Sequence, residues 1–552
     1  MSRPRRRVTQ AFRAALAALS GMGLYACAAS APPKNPVPHK AITLLHTSDL
    51  HAQLETHPEY FPDRTPNIVP RGGFARIKTA LTQERGSGAK AVFYVDGGDT
   101  FQGSGPAVWS QGEAILAPFN ALAPDICVPG NWEVAYGAER FRALMAGLRC
   151  SVLAYNFHDR RTGERLFAPA KIVERAGARV AFVGIADPTT TERQSPQNVL
   201  GLDTTRMAGL KEFVEALRAK ERPDLVVAVT HTGLTVSRAL ARETGAFDVV
   251  LSGHTHERTV QIIREGRTLI VEPGSMGSFM GRMDLDVDAS GIASASFQLI
   301  EIDPDRFAED PQVKGIVDRA LAPYRTRMSN IVGESATPIL RYDVLETSAD
   351  NFIADAVREA AGVDIGFTNG FRFTPPIPAG PIAEGDLWNL LPMDAAIKTG
   401  SITGNQLREY LEHELELVFS HDAWKLSGGW GPRFSGMEVR FAAMAPTGQR
   451  LREVTINGAS LEDERRYRIA GCDRDGEPEN TICRLKGADA PARLDLSIHE
   501  AMRDYLAKHP RIAPAREGRA RATDLPSVVF SQDALLSGGA GAATTTPDRS
   551  NR

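Results

Sequence analysis

Six short apolar runs punctuate the first 260 positions: AITLLHT (41–47), AVFYVD (91–96), ICV (126–128), RVAFVGI (179–185), LVVAVT (225–230) and VVLSG (249–253). They are rich in β-branched residues and do not alternate with polar ones. That pattern predicts buried strands of an α/β layer fold, because a half-solvated strand would show a period of two. Helical spacing appears between them, as in Thr205–Lys220, where Leu210, Phe213, Val214 and Leu217 share one face. The pattern defines a first region over 41–302. A charged stretch, 303–335, follows, with Val313, Ile316, Val317, Ala320 and Leu321 at helical spacing, which predicts a connector helix. A second α/β region runs over 336–530. The remaining 531–552 ends in SGGAGAATTTPDRSNR, which has no core-forming residue and predicts a disordered tail.

The first 40 residues follow a different logic. Residues 1–26 place Arg3, Arg5, Arg6, Arg7 and Arg13 before the apolar stretch Ala14–Tyr25, the layout of a signal peptide. The apolar stretch is shorter than the roughly 20 residues that span a bilayer. Leu24-Tyr25-Ala26-Cys27 resembles a lipoprotein box, so Cys27 is the expected lipid anchor, with a simple cleaved signal as the alternative. The Ala/Pro-rich 27–40 reads as a tether. The chain is therefore expected to be exported to the periplasm or cell envelope, touching the membrane only through that anchor. Export would put Cys127, Cys150, Cys472 and Cys483 in an oxidising compartment. Cys472 and Cys483 flank a polar loop and could close it; Cys127 with Cys150 is a second candidate pair.

Composition narrows the function. Of 552 residues, 64 are Lys or Arg and 67 Asp or Glu, a formal charge of -3. A binder of nucleic-acid polymers needs a basic surface, which this balance does not favour. Chemistry concentrates where the strands end. Asp49-Leu50-His51 follows the first run, Gly97-Gly98-Asp99 the second and Gly130-Asn131-Trp132-Glu133 the third. His231-Thr232-Gly233 and Gly253-His254-Thr255-His256 follow the last two. The C-terminal edge of an α/β sheet is where ligand sites form. Each fragment alone is an ordinary turn; five in succession are not. Asp49, Asp99, Asn131, His51, His231, His254 and His256 are too many donors for one catalytic zinc. They suit two divalent ions sharing a carboxylate. An N/O donor set without thiolate fits Mn, Zn, Fe or Co, with Mn favoured.

These residues resemble the metallophosphoesterase superfamily, and the chain resembles the bacterial 5'-nucleotidase family within it. The resemblance is carried by LLHTSDLHAQLE (44–55), RGGFARI (71–77), DGGDTFQGS (96–104), GNWE (130–133) and SGHTHE (252–257). DNFIADAVREAAGVDIGFTNG (350–370) and IPAGPIAEGDLWNLLPM (377–393) extend it through the second region. It implies a four-layer αββα metallophosphoesterase domain followed by a separate α/β substrate-binding domain. It also implies one metal on Asp49, His51, Asp99 and His256, and another on Asp99, Asn131, His231 and His254, with Asp99 bridging. Asp99, Asn131 and His231 are thereby the expected catalytic residues. Asn369, Arg372 and Trp430 are the expected substrate-binding residues, and the substrate a small nucleotide or other phosphate ester.

The departures matter. Where the family usually reads Gly-Asn-His-Glu-x-Asp, this chain has Trp132 and Ala135. Indole neither shuttles a proton nor carries charge. A His-to-Trp exchange at this place is similar to the Sox-type thiohydrolase, a related enzyme that releases sulfate from a cysteine-linked substrate. In the second region Asn369-Gly370-Phe371-Arg372 is shorter than the family's glycine-rich segment. AGCDRDGEPEN (470–480) stands near the place of its second aromatic segment, and Arg433 is expected to be solvated. Three readings follow: a 5'-nucleotidase-like phosphohydrolase, a thiohydrolase, and a non-catalytic protein that keeps its metals.

Overall fold

The computed structural model describes residues 39–86, 91–368, 370, 374–427, 431, 433–531 and 533. The expected signal peptide, Cys27, the tether as far as residue 38, and Asn369, Arg372 and Trp430 lie outside the described residues.

Two six-stranded sheets form the heart of the first region. One has the order 291–301, 279–288, 40–47, 91–96, 126–127, 151–152. The other runs 263–265, 268–271, 249–252, 225–230, 178–185, 170–175. Lys40–Thr47 pairs in parallel with Ala91–Asp96, and Leu225–Thr230 in parallel with both Ala178–Ile185 and Val249–Ser252. Each apolar run of the sequence is thus a central strand buried on both faces. Ile42, Leu44, Phe93 and Val95 of the first sheet meet Val180, Phe182, Val227 and Leu251 of the second in one core. The opposite face of the first sheet is covered by helices including Phe74–Arg85 and Glu113–Leu122. Leu210–Glu221 and Leu234–Thr244 cover the second sheet. The architecture is four-layered, αββα.

The charged stretch 303–335 does more than link. Pro311–Leu321 is a helix whose start is fixed by Asp310, which accepts the N–H groups of Gln312 and Val313 at 3.0 and 2.9 Å. It buries Val313, Val317 and Leu321 against the first region. Ile331–Ser335 is a strand paired with Gly380–Ala383 and Arg511–Ile512. The stretch therefore divides between the two cores.

The second region is a separate α/β domain. Its five-stranded sheet has the order 433–435, 365–368, 466–472, 396–403, 489–497, packed by helices Ser348–Ala361, Gly404–Phe419 and Ile498–Lys508. Arg433 is not solvated. It is buried, donates to the carbonyl oxygens of Asp343, Val344 and Leu345, and pairs with Asp350 at 3.2 Å. Nor does the order end at residue 530. Asp533 is buried; its carboxylate accepts the Thr235 hydroxyl at 3.1 Å and pairs with Arg238 of the first domain at 2.9 Å. Cys127 pairs with Cys150 and Cys472 with Cys483 as disulfides. No helix among the described residues is long and apolar enough to cross a membrane.

Candidate metal centre

The strand ends converge because the loops that follow them are bonded to one another. The N–H groups of Asp49, His51 and Ala52 donate to the carbonyl oxygens of Gly98, Asp99 and Thr100 at 2.8, 2.9 and 3.0 Å. The first two motif loops thus run as one ladder. Gly98 sits at φ +94°, and a Cβ there would lie 2.5 Å from Gly130 N and Val128 O. A Cβ on Gly130 would lie 2.1 Å from Asp99 Oδ1. Only glycine lets the second and third loops meet this closely. The backbone is also held in an uncommon conformation. Asp49, His51, Asp99, His254 and His256 all have positive φ, between 44° and 90°. Each such non-glycine residue costs about 1–3 kcal/mol, a cost that persists where surrounding contacts over-determine a functional geometry.

Two donor clusters result. Asp49, His51 and His256 bring one ligand atom each within 4.8 Å of one another, and so do Asp99, His231 and His254; all six are buried. The clusters adjoin: His51 Nε2 lies 3.9 Å from both Asp49 Oδ1 and Asp99 Oδ2, and His231 Nε2 lies 3.1 Å from Asp99 Oδ2. Asn131 enters through its neighbour: the Trp132 N–H donates to Asp99 Oδ1 at 2.7 Å. Asn131 Oδ1 is buried and has no hydrogen-bond partner among the described residues.

The hydrogen bonds dictate what these atoms can hold. A carbonyl oxygen only accepts. His51 Nδ1 lies 2.9 Å from Gln102 O and His231 Nδ1 lies 2.7 Å from Gly97 O, so each Nδ1 carries the proton. In the neutral rings each Nε2 then presents a lone pair. His51 Nε2 faces His256 Nε2 at 3.2 Å, and His231 Nε2 faces a carboxylate oxygen. Lone pairs set against lone pairs in a buried site repel one another unless a proton or a metal cation lies between them. The orphaned Asn131 oxygen makes the same demand. The residues fit two divalent cations.

The electrostatics show how strongly the pocket calls for positive charge: against its burial, the Asp99 and Asp49 carboxylates push the His231 imidazole up to about 10, so without a metal a proton on Nε2 pairs it with Asp99. Burial alone would raise the Asp49 carboxyl, yet the surrounding imidazoles, His256 and His231 foremost, hold it well below the ordinary range. Asp99 is lowered in the same way against its burial, mainly by His231. Burial pulls the His51 imidazole down to about 4.

Behind the donors stands a ring of carboxylates. Glu133 accepts four backbone N–H groups: Asp99 at 3.1 Å, Thr100 at 2.6 Å, Phe101 at 3.4 Å and Gly130 at 2.7 Å. Burial and the Asp99 charge push it up to about 8. Both its oxygens already accept N–H groups, however, and a proton would break one of those bonds, which favours the carboxylate. Glu272 accepts Ser252 Oγ, Thr255 Oγ1 and Glu257 N, and so ties down the loop of His254 and His256. Asp96 accepts Thr47 Oγ1, Thr100 Oγ1 and Gly98 N. Burial pushes both Glu272 and Asp96 up to about 7. Gln194 donates to Asn131 O at 2.7 Å. Glu133 lies within a sequence motif and so carried a signal. Glu272 and Gln194 have none, because their partners are distant in the chain.

A cleft of about 250 Å³ opens beside the centre, lined by Gln102, Trp132 and Gln194 of the first domain and by Met393, Arg474 and Arg493 of the second. Trp132 and Ala135, where the family pattern has His and Asp, both line it.

Comparison with known proteins agrees with this geometry. Residues 42–258 match the calcineurin-like phosphoesterase family and residues 331–473 the 5'-nucleotidase C-terminal domain. The trifunctional nucleotide phosphoesterase YfkN of Bacillus subtilis is 24% identical over 89% of this chain, which spans only 36% of that protein. A sulfate thiohydrolase of Thermus thermophilus superposes with a TM-score of 0.81 at 25% identity, covering 90% of this chain and 99% of the other. A 5'-nucleotidase precursor of the same organism gives 0.78 at 23% identity, covering 88% and 100%.

Proposed function

Because the chain belongs to the calcineurin-like phosphoesterases that carry a 5'-nucleotidase C-terminal domain, we propose that it is an exported metal-dependent hydrolase that releases phosphate from nucleotides or related phosphate esters. The observation that carries the reading is the pair of adjoining donor clusters at the edge of an interdomain cleft. Asp49, His51 and His256 would hold one cation, and Asn131, His231 and His254 the other, with Asp99 shared. Such a pair, with manganese favoured, supplies Lewis acidity toward water and phosphoryl oxygens. The chain's own part is positional. The Gln102 and Gly97 carbonyls fix the tautomers of His51 and His231; Glu133 and Glu272 hold the loops; the second domain closes the cleft around the leaving group. Asn369, Arg372 and Trp430 are proposed to contact that group. Two disulfides support the export reading, since such bonds persist in oxidising compartments.

A thiohydrolase is the second reading, favoured by Trp132 in the cleft wall and by the likeness to the Thermus thermophilus thiohydrolase. Manganese-loaded protein assayed with AMP, ADP, 4-nitrophenyl phosphate and S-sulfocysteine separates the readings. Phosphate from any of the first three supports the proposal, and sulfate from the last alone supports the second reading. No product from any, at full metal occupancy, leaves a binding protein.

A further inference from the structure

One patch of the cleft wall next to the donor clusters is apolar. Trp132 is buried together with Met276, and Ala135 and Met393 pack against the pair. Met393 comes from the second domain, so this wall closes across the interdomain seam. It starts at the reaction centre itself, since the Trp132 N–H is bonded to Asp99.

Among the described residues, no titratable side chain lining the wall is placed to give a proton to a departing atom. The Tyr136 hydroxyl donates to Phe101 O at 3.2 Å, and burial drives its pKa upward. Asp473 is paired with Lys398 at 2.6 Å and Arg493 at 3.3 Å, so it accepts rather than donates. Asp394 and Asp475 line the cleft where it is exposed to solvent. His499, next to the lining residue Ile498, gives its Nε2 proton to Leu391 O at 2.7 Å and stacks on Trp388.

We propose that this site takes substrates whose leaving group departs as a stable anion, the nucleoside monophosphate released from a nucleoside diphosphate or a phenolate, and discriminates against alkyl monoesters such as nucleoside monophosphates. The inference rests on the hydrolase reading and narrows it. A water oxygen bonds to phosphorus, the bond from phosphorus to the leaving oxygen breaks, and its electron pair departs with that oxygen. The proton lost by the water goes to the phosphate product or to solvent. With no acid among the described residues of the wall, the leaving oxygen receives no proton until it reaches solvent. General-acid assistance is worth about 10²–10⁴-fold, and alkoxide leaving groups are the ones that forgo it.

The test is a leaving-group series on metal-loaded protein: ADP, 4-nitrophenyl phosphate, phenyl phosphate, AMP and glycerol phosphate. The expected result is kcat/KM falling steeply with leaving-group pKa, with AMP and glycerol phosphate at least about 10²-fold below ADP and 4-nitrophenyl phosphate. Trp132→His, with metal content verified, should raise the alkyl esters relative to the aryl ones and flatten the dependence, whereas Trp132→Phe should keep it steep. Alkyl and activated esters cleaved within tenfold of each other by the wild type would overturn the inference while leaving the hydrolase reading intact. Phosphate from none of them would overturn both.

Discussion

Glu133 offers a sharp test of how the centre is held. In Glu133→Gln one side-chain oxygen remains to accept either Thr100 and Phe101 or Asp99 and Gly130, and the new NH₂ points at the other pair of donors. Two buried N–H groups then lose their acceptor, at about 1–3 kcal/mol each, so a local loss of about 3 kcal/mol is expected. The loss falls on the loops that carry Asp99 and Asn131. Metal affinity should therefore drop about 10–100-fold, the usual range when a group supporting a ligand is removed. Chelator competition measures the affinity. Hydrogen exchange at the amides of Asp99, Thr100 and Gly130 reports the loops directly, with protection expected to fall. Burial pulls toward a protonated Glu133, and a protonated acid predicts the opposite, because Gln mimics a neutral carboxyl. Unchanged affinity and protection in Glu133→Gln would refute the assignment of Glu133 as a carboxylate.

Three further outcomes are expected. Asp99→Asn removes the charge proposed to be shared by both cations; elemental analysis should find fewer than two metals per chain, with phosphate release down at least about 10²-fold. Glu301, paired with Arg64 at 2.6 Å and Arg71 at 2.8 Å, is buried enough to raise its pKa, but the two guanidinium groups lower it to about 2. Its contribution is thus present above the ordinary glutamate range and lost as pH falls from about 4.5 toward 2. Because it is a third exposed, about 1–2 kcal/mol is a fair discounted size, and Glu301→Gln should flatten the urea-midpoint profile over that acid range. Replacing Cys127 and Cys150 by Ser opens a loop of 23 residues, worth about 3 kcal/mol of chain entropy, and should lower the denaturation midpoint without changing metal content.

The amino-acid sequence by itself determined where the donor clusters sit. A buried strand needs a continuous apolar run, and the polar residue after it marks the sheet edge, so Asp49, Asp99, Asn131 and the three downstream histidines were legible as a set. The four layers followed from the family resemblance. Tertiary structure decided what lies across the chain. Glu272 anchors the His254 loop through hydroxyls twenty residues away, and Arg433 turns inward because three backbone carbonyls and Asp350 replace its water. Likewise, no local pattern shows that Met276 and Met393 close over Trp132. Periodicity is a local property, set by 3.6 or 2 residues per turn of the backbone. Partners brought together by sheet order leave no trace in it.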